Sequence, residues 1–488
     1  MGLTICFVTA ETAPLAKTGG LADVSSALTA YLHAAGHDLR LFMPCYASID
    51  LSKLRHQRVD ALQDIPLSIG PHHYRFSVLS ATLPGTSATI YLIDCPVLYG
   101  RPQIYTSGPD EHLRFLLLTR AAFECCQRMR WSPQILHCHD WHAAFGPLFL
   151  RTIYGWDRLF QNTRSVLTIH NIGYQGVFDA GAVADLQLGG GQYLLHQDDL
   201  AHGMINPLKH GILYADAVTT VSPTYADEIR TAQYGMGLQG VLRERGEAVL
   251  GILNGVDYHD WDPRTDRFLT RHYDAATLPV KRELKNELLA RLGLTAGERT
   301  ALAGVVSRLV AQKGIDLLIA ALPALLETRD LACVVLGSGE EALEHALAAL
   351  AARFPQRVAF ERGYSEELAH WIEAGSDLFI MPSIYEPCGL NQMYSLRYGT
   401  VPVVRRTGGL ADSVERYDPA LGSGTGVLFA DPTPAALTEA LETALDLYAR
   451  PAHWERMARN GMAQDFSWEH QGAQYVALYE RLGRTPRR

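Results

Sequence analysis

Short β-branched or apolar runs alternate along this chain with longer stretches whose apolar residues recur at helical spacing. The first half predicts strands at Thr4–Ala10, Leu39–Met43, Thr89–Ile93, Gln134–Cys138, Ser165–Ile169, Ala217–Val221 and Val249–Ile252, with helices such as Ala22–Ala35 and Glu111–Arg128 between them. The second half predicts strands at Thr300–Val306, Ala332–Leu336, Val358–Glu361, Leu378–Met381, Val401–Val404 and Gly426–Phe429, separated by helices such as Gly314–Thr328 and Glu340–Arg353. Strands buried on both faces read as near-continuous apolar runs, so this alternation predicts α/β architecture with parallel sheets covered by helices. Two such series predict two doubly wound domains. The second begins near Asn254–Pro263, where Asn254-Gly255-Val256-Asp257 is turn chemistry and Trp261-Asp262-Pro263 reads as a linker. Open α/β sheets bind ligands beyond the C-terminal ends of their strands, and two of these domains facing each other would enclose a cleft.

Composition narrows the function. The 488 residues, 48% hydrophobic and 19% charged, describe a globular chain with sizeable cores, which excludes disorder or a collagen-like repeat. A formal charge of 43 − 52 = −9 gives no bulk positive field for nucleic acid or an anionic membrane. Apolar stretches are broken by charge, Gly or Pro well short of the ~20 residues of a membrane span. The N-terminal run lacks a basic region and leads into Glu11 and a glycine turn, which reads as a first strand and not a signal peptide. Cysteines 6, 45, 95, 125, 126, 138, 333 and 388 form no CxxC pair and are expected to be reduced thiols in a soluble, cytoplasmic protein.

One internal echo carries more than any periodicity. Thr18-Gly19-Gly20-Leu21-Ala22-Asp23 recurs as Thr407-Gly408-Gly409-Leu410-Ala411-Asp412, each copy after a strand, before a helix and behind a cation, Lys17 or Arg406. A single copy reads equally as a tight turn with a capping Asp. Two copies at equivalent places read as a pair of anion cradles, because Gly-Gly lets backbone N–H groups approach an anion at a helix start. Arg308 and Lys313 lie in the loop after the strand ending at Val306, where two cations could neutralise a diphosphate or form a solvated loop. Glu386 precedes Pro387 after the strand Leu378–Met381 and is steered toward an extended backbone. Its carboxylate could bind sugar hydroxyls or an oxocarbenium ion, or cap a helix; Gly389 permits close approach at the helix start that follows. His137-Cys138-His139-Asp140-Trp141-His142 crowds three histidines and an aspartate into six residues, but no second ligand cluster follows and no metal is expected. The segment reads instead as a strand-end loop in which Asp140 and Trp141 meet a polar substrate, the ring stacking on a carbohydrate face. His170, at the end of the strand Ser165–Ile169 and beside Gly173 and Tyr174, is a further candidate.

With these segments together, the chain resembles bacterial glycogen synthases that use ADP-glucose, close relatives of plant starch synthases. The resemblance runs over nearly the whole length, through Lys17–Val24, Pro96–Tyr99, His137–Ala143, His170–Gly176, Asn254–Pro263, Ser307–Gly314, Glu386–Gln392 and Arg405–Asp412. Met236, where an aromatic is usual, and Asn391, where some members carry threonine, are the departures. The resemblance implies a GT-B fold of two Rossmann-like domains, residues 1–253 and 254–465, with residues 466–488 a helix crossing back to the first. It implies glucosyl transfer from ADP-glucose to the non-reducing end of an α-1,4-glucan such as glycogen or a maltooligosaccharide, with retention and with neither metal nor pyridoxal phosphate.

Residue by residue, the resemblance implies that Lys17, Gly19 and Gly20 touch donor diphosphate and sugar, that Arg308 and Lys313 hold the diphosphate, and that Glu386 and His170 bind the glucosyl unit. Tyr364 would stack on adenine. Asn254, Cys388, Gly389, Leu390, Thr407, Gly408 and Gly409 complete the donor side, and Asp140, Tyr99 and Trp141 form the acceptor side. Retention could follow double displacement through a carboxylate nucleophile or front-face attack with the leaving phosphate taking the proton, and the second is favoured if Glu386 binds hydroxyls. The competing readings are another GT-B transferase using UDP-glucose or making sucrose, a pyridoxal phosphorylase, and a non-catalytic protein that binds glucan or nucleotide.

Overall fold

The strand Thr4–Val8 pairs in parallel on both sides, with Asp38–Pro44 and with Ile135–His139. Such a strand has no solvent face, and Ile5, Phe7 and Val8 are wholly buried. In a computed structural model, which describes residues 2–295, 297 and 299–484, it lies near the centre of a ten-stranded sheet. The order from one edge is Val249–Gly251, Ala217–Thr220, Arg164–Ile169, Ile135–His139, Thr4–Val8, Asp38–Pro44, Thr89–Asp94, His72–Thr82 and His56–Arg58, with Ile65–Ile69 also paired to His72–Thr82. Pairing is parallel as far as Thr89–Asp94 and antiparallel beyond it. This sheet belongs to a first unit, Met1–Val221, Ala226–Gly255 and Trp468–Arg488.

The antiparallel corner is absent from the sequence reading for a physical reason. His72–Thr82 buries one face only, so its pattern alternates with polar residues instead of running apolar. A tight connection joins it to Ile69, with Gly70 at φ +56°, where an added Cβ would fall 2.5 Å from the Asp185 carboxylate.

The last helix, Trp468–Arg484, packs in the first unit against Gly20–Ala34. Gly472 lies flat on Tyr31, whose ring would stand 2.3 Å from an added Cβ. Tyr479 hydrogen-bonds His137 Nδ1 at 2.8 Å, tying this helix to the sheet interior.

The second unit, Ser222–Tyr225 and Val256–Ser467, holds six parallel strands in the order Val358–Arg362, Leu331–Gly337, Ala301–Val306, Leu378–Met381, Val401–Arg405, Val427–Phe429. In chain order that is 3-2-1-4-5-6, the doubly wound arrangement. One face of this sheet is covered by a core that gathers Val305, Leu318, Leu322, Val335, Leu347, Ile380, Val403 and Leu441 from alternate strand positions and the helices packed on them. The predicted helices fall at Ile315–Thr328 and Glu341–Arg353, within a residue of expectation. The fold class is therefore as expected, two α/β units built on parallel sheets. All eight cysteines are free thiols, and all but Cys45 are buried.

Candidate active site

In a doubly wound sheet the strand order reverses beside the first strand, and the loops leaving the two strands there diverge to open a crevice. In the second unit these strands are Ala301–Val306 and Leu378–Met381. The loops that follow them carry Arg308 and Lys313 on one side and Glu386 on the other. Chain direction thus brings the two loops side by side, and with them Lys313 and Glu386. Lys313 Nζ lies 2.6 Å from Glu386 Oε2, and Ser383 Oγ donates to the same oxygen at 2.9 Å. Glu386 is 4% exposed, so its charge is held by partners and not by water.

The two loops are stitched to each other. Ile384 N donates to Gln312 O at 2.8 Å, and the Gln312 amide donates to Tyr385 O at 3.2 Å. Gly314, at φ +63°, lets the chain pass Pro382, whose carbonyl oxygen would sit 2.1 Å from an added Cβ. The Asn391 amide donates to Val306 O at 2.7 Å, so the residue that departs from threonine pins the helix Asn391–Tyr398 to the end of the neighbouring strand. Arg405 donates to Ile384 O at 2.5 Å and to Ala430 O at 2.9 Å, bracing the Glu386 loop from behind.

Gly408 and Gly409 meet this loop from the next strand end. A Cβ on Gly408 would fall 1.9 Å from Glu386 O, and one on Gly409 2.2 Å from Cys388 O. Gly409 N donates to Glu386 O at 3.1 Å. That corrects the anion-cradle expectation for Gly409: its amide is bonded within the protein, and its missing side chain serves the close approach of two loops. Thr407 is wholly buried and its carbonyl accepts from Leu410 N. Cys388 is buried at 4% exposure, Gly389 turns at φ +72°, and Leu390 caps the helix that follows. Arg308 is exposed at the strand end, as is Tyr364 at 69% beyond Val358–Arg362.

The first unit reverses order between Thr4–Val8 and Ile135–His139. After Val8 the chain runs through Glu11 to the first Thr-Gly-Gly. Glu11 is 3% exposed and accepts from Thr18 N, Thr18 Oγ1 and Tyr105 Oη. It fixes the turn whose glycines stay open: nothing stands within 4 Å of a Cβ added to Gly19 or Gly20. Lys17 is exposed beside them and pairs with Asp23 at 2.7 Å. The sequence reading missed Glu11; a carboxylate just after the first strand and before the glycine turn was the signal available.

Asp140 closes the strand Ile135–His139 at φ +53°, a left-handed backbone that costs a non-glycine residue free energy. The conformation lets its carboxylate accept from His170 N at 2.7 Å and Asn171 N at 3.4 Å, clasping the end of the next strand. Burial pushes the Asp140 carboxyl up to about 7 against the opposing pull of those two amides. Burial takes His170 down to about 3, so its ring is neutral at ordinary pH. Trp141 packs edge-on to Phe115 and beneath Gly176, where an added Cβ would fall 2.1 Å from the indole. Asn254 is buried at 5% exposure, its Oδ1 without a hydrogen-bond partner among the described residues.

Tyr99 requires correction. It is wholly buried and its hydroxyl donates to Arg114 O at 2.7 Å, so it supports the helix Glu111–Arg128 and has no surface to offer an acceptor. Among the described residues no group of three or more His, Cys, Asp or Glu is placed to hold a metal ion, and no helix is long and apolar enough to cross a membrane.

Residues 4–244 match the family described as starch synthase catalytic domain, and residues 292–461 match glycosyl transferases group 1. A glycogen synthase of Thioalkalivibrio sulfidiphilus is 44% identical across 98% of this chain and 100% of its own. The chain belongs to the glycogen and starch synthase family. It is a hexosyltransferase by that membership. A second synthase of this family, from Thermotoga maritima, is 41% identical over 98% of this chain and 99% of its own. The catalytic domain of starch synthase IV from Arabidopsis thaliana, bound to ADP and acarbose, superposes with a TM-score of 0.91 at 34% identity, covering 99% of this chain and 100% of that one. The GT-B fold of the synthases is thus the fold of this chain.

Proposed function

We propose that the chain elongates an α-1,4-glucan by glucosyl transfer from ADP-glucose, with the residues gathered at the switch point of the second unit's sheet acting on the donor. The observation that carries the assignment of roles is the Lys313–Glu386 pair at 2.6 Å, a cation and a buried carboxylate where a doubly wound sheet receives its ligand. Supporting it, the Arabidopsis relative was bound to ADP, which is what ADP-glucose leaves behind.

In this reading Arg308 and Lys313 face the diphosphate. As the bond from the anomeric carbon to phosphate oxygen lengthens, negative charge collects on the departing ADP, and fixed cations stabilise it where it develops. Lys17 and the open Gly19-Gly20 turn add a cation and unobstructed backbone to the donor. Glu386 and His170 hold glucosyl hydroxyls, Asp140 lies toward the acceptor, and Tyr364 stacks on adenine. The acceptor hydroxyl attacks on the face that ADP leaves, its proton passes to the leaving phosphate oxygen, and configuration is retained. Binding ADP-glucose gives Lys313 a second anion to serve, so the pair with Glu386 must open or be shared. Glu386 then has acceptor capacity to turn to the sugar.

Glu386→Gln keeps the size and the bond from Ser383 but removes the charge. Turnover is expected to fall on the order of a hundredfold, with ADP affinity retained in calorimetry. Lys313→Ala is expected to weaken ADP about tenfold, one charge-assisted hydrogen bond. Loss of ADP affinity in Glu386→Gln, or full affinity in Lys313→Ala, would overturn the roles given to the pair.

A further inference from the structure

The histidines that chemistry leaves unused lie in the strand Ile135–His139. A neutral imidazole carries one N–H donor and one bare nitrogen, and the neighbours decide which is which. His137 and His139 are wholly buried. His137 has a partner on each nitrogen: Tyr479 Oη at 2.8 Å from Nδ1 and Thr168 Oγ1 at 2.6 Å from Nε2. His139 has one. Its Nδ1 lies 2.9 Å from His170 Nε2, while its Nε2 is buried with no partner among the described residues. The ring is clamped between Phe7, stacked at 4.1 Å, and His137, 4.0 Å away, so it cannot turn to seek another.

Two arrangements fit the 2.9 Å contact. In one, His139 carries its proton on Nδ1 and donates to His170 Nε2, leaving a bare nitrogen in the core. In the other, His170 Nε2–H donates to His139 Nδ1, and the His139 proton sits on Nε2 as an orphaned donor against Phe7. A buried N–H without an acceptor is the rarer and costlier defect. The first arrangement also leaves the spare donor on His170, which retains 9% exposure, where a ligand can take it up.

We propose that His139 is a positioning residue that fixes the tautomer of His170, donating from Nδ1 to His170 Nε2 so that His170 carries its proton on Nδ1. His170 then meets a substrate oxygen as a hydrogen-bond donor and has no bare nitrogen left with which to act as a base. This rests on His170 binding the glucosyl unit, while the tautomer itself does not. Charging His170 would place a second proton in the shared contact, and burial already holds His170 neutral.

The test uses the full chain with 15N-labelled histidine. Long-range 1H–15N spectra are expected to show His170 with a protonated Nδ1 and a bare Nε2. His139→Asn places an amide donor near the Nδ1 position and should preserve that signature together with turnover. His139→Leu removes the donor and should shift His170 toward protonated Nε2. Its kcat with ADP-glucose should drop about tenfold or more, the direction in which a wrong imidazole tautomer acts in catalytic triads. A protonated Nε2 in the wild-type chain overturns the proposal, and that measurement needs no variant to fold. An unchanged His170 signature in folded His139→Leu overturns it as well. The expected spectra with undiminished turnover in His139→Leu would support the tautomer assignment and remove His170 from sugar binding.

Discussion

Thr-Gly-Gly-Leu-Ala-Asp occurs once in each unit, and the two copies are put to opposite use. In the first unit Gly19 and Gly20 face open space, with the turn held from one side by the Glu11 carboxylate on Thr18. In the second, Gly408 and Gly409 are sealed against the backbone of Glu386 and Cys388, and the Gly409 amide is taken by Glu386 O. A missing Cβ means access for a ligand in one place and close packing of two loops in the other. The copies follow different strands, the first of its unit in one case and the fifth in the other, and identical sequence does not fix what a glycine is for. The element that crosses in front of it does: an open loop in the first unit, the Glu386 loop in the second.

The largest effect should come from breaking the sealed copy. Gly408→Ala forces a Cβ to within 1.9 Å of a carbonyl oxygen at φ +42°. Neither the backbone angle nor the neighbour can yield cheaply, so a loss of about 3 kcal/mol or more is expected, with the Glu386 loop displaced. Gly19→Ala meets nothing, and its φ of −165° is ordinary extended backbone. Its melting temperature should match the parent's, while turnover with ADP-glucose falls because the donor loses its open approach. Thermal unfolding of the two variants side by side decides the contrast. Equal destabilisation would mean that the first copy is a packing device too.

Why the sequence showed the repeat and not the difference is a matter of range. Strand pattern, glycine turns and chain direction are local or nearly so, and they placed Lys313 and Glu386 at one switch point. Tyr99 failed because helical position does not say which side faces the core. Its hydroxyl found Arg114 O fifteen residues away. The roles of His139 and Asn391 are not legible because each acts on a partner supplied by another strand, at His170 and Val306, whereas Glu11 acts on Thr18 within its own loop and carried a local signal. The corner His56–Thr82 was lost for yet another reason, since a sheet wet on one face hides its strands in alternation.

The second largest effect separates the two units by charge. The switch point of the second unit holds Lys313 and Glu386 as a charged pair, whereas in the strands Ile135–His139 and Arg164–Ile169 of the first unit, and at Asp140, burial opposes charge. Burial lowers His137 and His170 to about 3 and pushes Asp140 up to about 7. For a histidine whose folded value is depressed, the unfolded chain binds the extra proton, so stability present above about 6.5 is lost as pH falls toward 3. Asp140 runs the other way, gaining stability as pH falls through about 7. His137→Gln removes one histidine and leaves Asp140 in place. Between pH 7.5 and 4.5 its urea unfolding free energy should fall less than the parent's by about 2–3 kcal/mol, two pH units at about 1.4 each. An identical pH slope in parent and variant would show that His137 is not held neutral by the fold.

The smallest effect concerns the aspartates that close the two copies. Asp412 accepts from Thr224 N at 2.8 Å and Thr224 Oγ1 at 2.6 Å, both half-buried, and so anchors the short segment Ser222–Tyr225 within the second unit. Asp23 pairs with Lys17, whose side chain is 44% exposed. Two hydrogen bonds to a carboxylate shielded from water should cost about 1–2 kcal/mol to lose, while a solvent-exposed ion pair is worth less than about 1. Asp412→Ala should therefore lower the melting temperature measurably and Asp23→Ala hardly at all. Salt sharpens the distinction. An exposed pair is screened at high ionic strength, so whatever Asp23→Ala loses should vanish in about 1 M salt, whereas the Asp412 loss should persist because its partners are a backbone amide and a hydroxyl with no charge to screen. If the Asp412 effect vanished in salt instead, charge and not hydrogen bonding would hold the second copy, and the two ends of the repeat would be alike after all.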